Sequence, residues 1–274
     1  MIKYSIILST YNWPDALDLV LTSLSKQLKN NLDTELIIAD DGSDSTTKQL
    51  IDQYQKTIPN FKHVWHEDAG FTKAIILNKA VLASQGDYLI FLDGDCVVFP
   101  DFIAQHKLLK QDGYFVAGNR VLLSPEFTQE LTSNQYSIDK IYSWGLINWI
   151  LAKFTKKVNK LLISLRFGNG FWRFLRKTAW KFPKGCNFAV DRADFMEVNG
   201  FDEEFIGWGH EDSDLFIRLL HNGVQIKDGR FALGVIHLWH KQSRTDPLNP
   251  NKVRLMQRVS DPLFTKAVSG ISKY

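Results

Sequence analysis

YSIILS (4–9), ELIIAD (35–40) and DYLIFLD (87–93) are short apolar runs, and each ends in polar or acidic residues. Helix-patterned segments lie between them: Asp15 to Leu28 behind Pro14, Thr46 to Gln55, and Thr72 to Ser84. Pro14 suits the first turn of a helix. HVWHE (63–67) adds a further strand. This alternation predicts an α/β fold of Rossmann-like type, a mostly parallel sheet with helices on both faces. In such sheets ligands bind beyond the carboxyl ends of the strands. The polar turns Thr10 to Asn12, Asp40 to Ser45 and Asp93 to Asp95 all fall at those ends.

The chain has 274 residues, 45% of them hydrophobic, enough for one large domain or two closely joined halves. The formal charge of +3 does not point to nucleic acid, which is not an expected partner. Its distribution is uneven: Lys140 to Lys184 holds eleven Lys and Arg and no acid, leaving the remainder at −8. The two cysteines, Cys96 and Cys186, have no CxxC spacing, which argues against a disulfide scaffold or a cysteine-rich zinc site and suits a reducing compartment. The first apolar run, Tyr4 to Leu8, is too short for a signal-peptide core. Ile141 to Ala152, twelve residues, is the longest uncharged stretch, against the roughly 20 apolar residues of a spanning helix. A cytoplasmic location is expected.

Further along, Trp144 to Leu165 reads as one amphipathic helix. Leu146, Ile147, Ile150, Leu151, Phe154, Val158, Leu161, Leu162 and Leu165 share a face, and Lys153, Lys156, Lys157 and Lys160 line another. From Cys186 a compact pattern returns: CNFAVD as a strand, a helix near Arg192 to Val198, GWGHEDSD opening a helix that ends near Gly223, then VQI and FALGVIHLWH as late strands. The polar tail after Lys241 is expected to be mobile.

In GDYLIFLDGDCVVFP (86–100) a hydrophobic strand runs into Asp93 and Asp95 with one glycine between. Side chains two apart in extended chain point the same way, and two hard oxygen donors suit Mg²⁺ or Mn²⁺ bridging to a diphosphate; otherwise DGD is a hydrated acidic turn. Asp40 and Asp41 are either an Asx turn or cap with Ser43 or Ser45, or acceptors for a base N–H or ribose hydroxyl. In GWGHEDSD (207–214), Glu211, Asp212 and Asp214 lie where a helix dipole favours negative charge. One of them is also placed to take a proton from a hydroxyl nucleophile. Gly207 and Gly209 make Trp208 a mobile ring able to stack on a sugar, and Asp202 orders the preceding turn.

YSIILSTYN, LIIADDGSDS, GFTKAIILNKA and GDYLIFLDGDCVVFP, in that order, resemble the nucleotide-binding half of the inverting family-two glycosyltransferases with the GT-A fold. CNFAVDRADFMEVNGFDEEFIGWGHEDSDLFIRL resembles the acceptor half shared with galactosyl- and N-acetylgalactosaminyltransferases. The resemblance implies a nucleotide-sugar half over 1–120 and an acceptor and catalytic-base half over 185–274; between them 121–184 reads, from its own charge and rings, as a basic aromatic helical insertion with no fixed counterpart in the family pattern. The resemblance further implies that Asp41 binds uracil, that Thr10, Tyr11 and Asn12 shape the nucleotide pocket, and that Lys73 approaches the donor phosphates. Asp93 would contact ribose or metal water, and Asp95 would bind the metal, Mn²⁺ or Mg²⁺. One late histidine completes that site; His237 is favoured slightly over His240. Asp212 would be the base, with Glu211 on substrate hydroxyls and Trp208 on the sugar. The implied reaction moves a hexose or N-acetylhexosamine from a UDP-sugar to a saccharide or lipid-linked saccharide in cell-surface polysaccharide or lipopolysaccharide assembly. Four tryptophans interleaved with positive charge in 140–184 suggest contact with the inner face of a membrane.

Two other readings compete. A nucleotidyltransferase making nucleotide sugars wants a Gly-rich basic loop after its first strand, and TYNWPD is not one. A non-catalytic saccharide-binding protein would not need intact acids at both Asp93/Asp95 and Glu211/Asp212.

Overall fold

The structure is a computed structural model that describes residues 1–161, 167–241 and 249–274. Its main sheet begins with β1 (Tyr4–Thr10), β2 (Thr34–Asp40), β3 (Phe61–Trp65) and β4 (Tyr88–Asp93). Three crossover helices join them: α1 (Pro14–Lys29), α2 (Ser45–Gln55) and α3 (Lys73–Ala83). After β5 (Cys96–Val98) come α4 (Phe102–Leu109), β6 (Tyr114–Ala117) and β7 (Asn119–Leu122). Next come α5 (Pro125–Thr132), α6 (Ile138–Tyr142) and α7 (Leu146–Phe154). The last part holds β8 (Asn187–Asp191), α8 (Arg192–Glu197), α9 (Glu211–His221), β9 (Gln225–Asp228), β10 (Gly234–His237) and α10 (Pro250–Ser260).

The seven-stranded sheet has the order β3-β2-β1-β4-β8-β6-β9, and β5-β10-β7 form a smaller sheet. β1 runs parallel to β2 and β4, β2 to β3, and β6 to β9; β8 is antiparallel to both neighbours. β8 thus joins strands from early and late sequence in one layer. The central strands are buried on both faces, as parallel strands under crossover helices must be. Ile6, Leu8, Leu36, Ile38 and Ile90 pack into the core with Leu17, Leu21 and Leu24 of α1. The alternate residues Ile7, Ile37, Leu89 and Phe91 pack with Ile76 and Ala80 of α3. Period-two alternation therefore feeds two separate cores.

α9 docks through rings. Phe216 stacks on Phe115 at 5.4 Å and meets Phe188 edge-on at 4.9 Å; Phe188 stacks on Phe91 at 4.7 Å. This ladder links β4 to α9 and fixes the start of α9 near the strand ends.

Two expectations are corrected. The single helix over 144–165 does not form: α7 stops at Phe154, and Lys156 takes φ +59°, outside helical space. Val158 then bridges to Leu123. Leu162 and Leu165 lie outside the described residues. α7 buries Trp149 and Ala152, while Leu146, Ile147, Leu151 and Phe154 are exposed. The tail is not loose where it is described. Asp202, fully buried, accepts N–H bonds from Val268 and Ser269 and pairs with Arg258 at 3.2 Å. Leu255 and Ile271 are buried too. A buried carboxylate needs such partners, and the tail supplies them. No helix among the described residues is long and apolar enough to cross a membrane.

Candidate active site

The DGD turn is pinned between two strands. The Gly94 N–H donates to Ser9 O at 2.7 Å, and the Leu238 N–H to Asp95 O at 2.9 Å. A Cβ on Gly94 would lie 2.7 Å from Ser9 O, so only glycine permits this approach. Asp93 Oδ1 accepts from Ser9 Oγ at 2.9 Å and from Lys73 Nζ at 2.5 Å. Burial pushes the Asp93 carboxyl up, but the Lys73 ammonium and the Ser9 hydroxyl outweigh it and leave it below the ordinary range. Burial pulls Lys73 down, and the carboxylates of Asp93, Glu211 and Asp212 more than reverse that. Lys73 is therefore a firmly charged centre that senses acids from both parts of the chain.

Beside this turn lies a cleft of about 400 Å³, lined among others by Thr10, Tyr11, Asp41, Lys73, Asp93 and Asp95, with His240 at its edge. These expected nucleotide- and metal-side residues thus converge. Asp41 Oδ1 accepts from Thr72 Oγ1 at 2.6 Å and pairs with His66 Nε2 at 2.8 Å; its Oδ2 accepts from the Thr72 N–H. Asn12 is not among the lining residues. It takes φ +45° and its amide oxygen accepts from the Asp44 N–H, shaping the turn. The cap of α2 is Asp44, bonded to the Thr46 and Thr47 N–H groups, not Ser43 or Ser45.

Both late histidines reach Asp95. His237 Nε2 and His240 Nε2 lie 3.6 and 3.3 Å from the same Asp95 oxygen. Each ring turns Nδ1 toward a backbone carbonyl, Leu238 O at 2.7 Å and Lys241 O at 3.3 Å. A carbonyl can only accept, so the ring proton belongs on Nδ1. A neutral ring then aims its Nε2 lone pair at a carboxylate oxygen, which repels unless a proton or cation lies between them. Asp95, Cys96 and His237 hold donor atoms within 4.8 Å of one another, and His240 brings a second imidazole to the same Asp95 oxygen; a carboxylate with imidazole donors suits a divalent ion. Cys96 Sγ also lies close to Asp95 and His237, facing Asp95 Oδ1 at 3.5 Å. Burial and the neighbouring Cys186 push its thiol up, which keeps it a neutral neighbour.

Glu211, Asp212 and Trp208 are not among the residues that line this cleft; the two acids, at the start of α9, reach it through their charge on Lys73. Asp212 Oδ2 accepts from the Gly185 N–H at 2.9 Å, and Oδ1 from the Ser213 N–H at 2.7 Å. Glu211 is 8% exposed, and its Oε2 is buried without a hydrogen-bond partner. Burial, then the Asp212 charge, push its carboxyl up to about 7. Asp214 is different: it is fully buried and paired with Arg218 at 2.8 Å, anchoring the helix. Trp208 is 39% exposed, and the backbone on both sides of it is bonded to α10. Asn251 Nδ2 of α10 donates to Ile206 O and Gly209 O.

The raised Glu211 predicts a pH-dependent stability effect. The folded state keeps a proton that the unfolded chain releases between pH 4.5 and about 7. Ionising this buried group therefore costs stability as pH rises through that window, about 3 kcal/mol once complete. Glu211→Gln removes that cost. Denaturant melts should show the variant more stable than the parent at pH 8 and level with it near pH 4.5; an equal difference at both pH values contradicts the assignment.

His66, Thr72, Cys96, Gly185 and Asn251 escaped the sequence reading. Thr72, beside the start of α3, and Cys96, next to Asp95, carried a local signal; His66, Gly185 and Asn251 reach the site through contacts distant in sequence.

Compared with known families, residues 5–182 match glycosyl transferase family 2, and residues 167–241 match the family described as the N-terminal domain of galactosyltransferase. Validoxylamine A glucosyltransferase of Streptomyces hygroscopicus subsp. limoneus is 26% identical over 246 residues, covering 84% of this chain and 51% of that protein. Chondroitin synthase of Escherichia coli is 28% identical over 241 residues, covering 84% of this chain and 34% of that protein. The chain thus spans about half or less of the length of these relatives. In fold it is similar to S. aureus TarS 1–349 in complex with UDP, with a TM-score of 0.63 and 15% identity over 99% of this chain and 68% of that one. With well over half of its length matched and its acids gathered at the strand ends as expected, this protein belongs to glycosyl transferase family 2 and has the GT-A fold.

Proposed function

We propose that this protein is a metal-dependent inverting transferase that moves a hexose or N-acetylhexosamine from a UDP-sugar to a saccharide acceptor. The observation that carries this reading is the placement of Lys73. It lines the donor cleft, bonds Asp93 at 2.5 Å, and is raised by the charges of Asp93, Glu211 and Asp212 together. One cation thus joins the diphosphate side to the acids of α9. The relatives named as glucosyl and chondroitin enzymes support sugar transfer, and the UDP complex of TarS supports the donor class.

Asp41 and Tyr11 hold the base and ribose side of the donor. Lys73 offsets negative charge as it develops on the leaving diphosphate. Asp212, oriented by the Gly185 N–H, takes the proton of the acceptor hydroxyl as it attacks the anomeric carbon. Glu211 binds a hydroxyl of donor or acceptor, and Trp208 stacks on a sugar face. Asp95, His237 and His240 would hold a divalent ion, which when bound neutralises diphosphate charge. Two imidazoles favour Mn²⁺ over Mg²⁺, which prefers oxygen ligands. The role is in cell-surface polysaccharide or lipopolysaccharide assembly, on the cytoplasmic side of the membrane. Exposed Leu146, Ile147, Leu151 and Phe154 beside Lys153 support contact with that surface.

The test is UDP release from a panel of UDP-sugars with Mn²⁺, with and without saccharide acceptors. Transfer is expected. Pyrophosphate release from UTP would instead make the protein a nucleotidyltransferase, and sugar binding without turnover a binding module.

A further inference from the structure

A second cavity, of about 710 Å³, lies apart from the donor cleft. Six cations line it: Arg120, Lys160, Arg176, Lys181, Lys184 and Arg230. Among the described residues only Arg230 has a carboxylate partner, Asp228 at 2.6 Å. Phe182 and Phe231 add rings to the wall, and the guanidiniums of Arg176 and Arg230 lie 5.0 and 5.3 Å from the Phe182 centroid. Phe231 takes φ +59°, a conformation costly for a bulky side chain. The cavity is built, not incidental. The fully buried Arg173 donates to the carbonyls of Asp228 and Arg230 at 2.6 and 3.1 Å and to Gly168 O at 3.1 Å, clamping the insertion onto the turn after β9.

The cavity adjoins the proposed chemistry. Lys184, on its wall, precedes Gly185, whose N–H holds Asp212 at 2.9 Å. Arg120, on the same wall, faces Cys186 Sγ at 3.6 Å, and Cys186 O accepts from the Asp93 N–H at 3.1 Å. A ligand in the cavity therefore lies beside the segment whose backbone N–H holds the proposed base.

Building on the transferase reading above, we propose that this cavity is an acceptor subsite for a saccharide bearing its own anions, carboxylates or phosphates. Unpaired cations favour such groups, and rings favour sugar faces. The concave form and the neighbouring Asp212 favour a saccharide over a lipid surface, which would be met by a flat or convex patch.

Calorimetric titrations of the full chain test this at low salt. The probes are a hyaluronan hexasaccharide, its carboxyl-reduced neutral form, a glycerol phosphate hexamer, and vesicles of phosphatidylcholine with phosphatidylglycerol. UDP with Mn²⁺ is titrated in parallel. At least one soluble anionic probe should bind more tightly than the neutral saccharide. Lys160→Gln/Lys181→Gln should weaken it roughly tenfold, while circular dichroism shows the fold retained. Preference for the uronate or the phosphate probe identifies which anion the subsite takes. Equal binding of charged and neutral saccharides, no effect of the double variant, or lysine-dependent binding to vesicles alone overturns the subsite. If UDP binds and the anionic probes do not, only this proposal fails; if UDP does not bind, the transferase reading fails first.

Discussion

Asp95→Asn should lower transfer by about a thousandfold or more and make UDP affinity independent of Mn²⁺. Two imidazole nitrogens lie 3.6 and 3.3 Å from one Asp95 oxygen, with both Nδ1 atoms anchored on carbonyls. Only a proton or a cation relieves that arrangement, and asparagine removes the charge that draws either one in. The backbone of the turn should survive, because Leu238 bonds the Asp95 carbonyl and Ser9 receives the Gly94 N–H. Donor titrations with and without Mn²⁺ provide the check. Undiminished metal dependence in the variant would remove Asp95 from the ligand set. Parallel His237→Ala and His240→Ala variants show which imidazole the ion uses.

Asp212→Asn should leave UDP binding intact and slow transfer by roughly a hundred- to ten-thousandfold, the usual contribution of a general base. Asparagine keeps an oxygen able to accept from Gly185 or Ser213 but cannot take a proton. A second readout separates a chemical role from a structural one. The Asp212 charge is among the causes that raise Glu211, so its loss should lower the pKa of Glu211 and flatten the pH dependence of stability described above. A fully active variant would move the base to another residue, with Glu211 the next to test.

Much of this was legible in the chain itself. The sheet strands and their crossover helices follow from periodicity, which is local and repeats over a few residues. The acids at strand ends follow from where apolar runs stop. The break after Phe154 has no mark in the periodicity, which continues past it, while Lys156 leaves helical space and Val158 bridges to Leu123 just beyond β7, a contact no periodicity records. The tail carries no local sign of order because its Arg258 side chain and its backbone N–H groups at Val268 and Ser269 find their partner, Asp202, some sixty positions earlier.

The layered α/β architecture and the residue types offered at its ligand-binding edge are thus written in local order, since both depend on neighbours in the chain. Folding in three dimensions was needed to bring both His237 and His240 to Asp95, to set Lys73, bonded to Asp93, within the charge of the α9 acids, and to gather scattered Lys and Arg around one cavity. Those outcomes depend on burial and charge between segments distant along the chain, where the energy of each pairing is set by the packed surroundings and not by spacing.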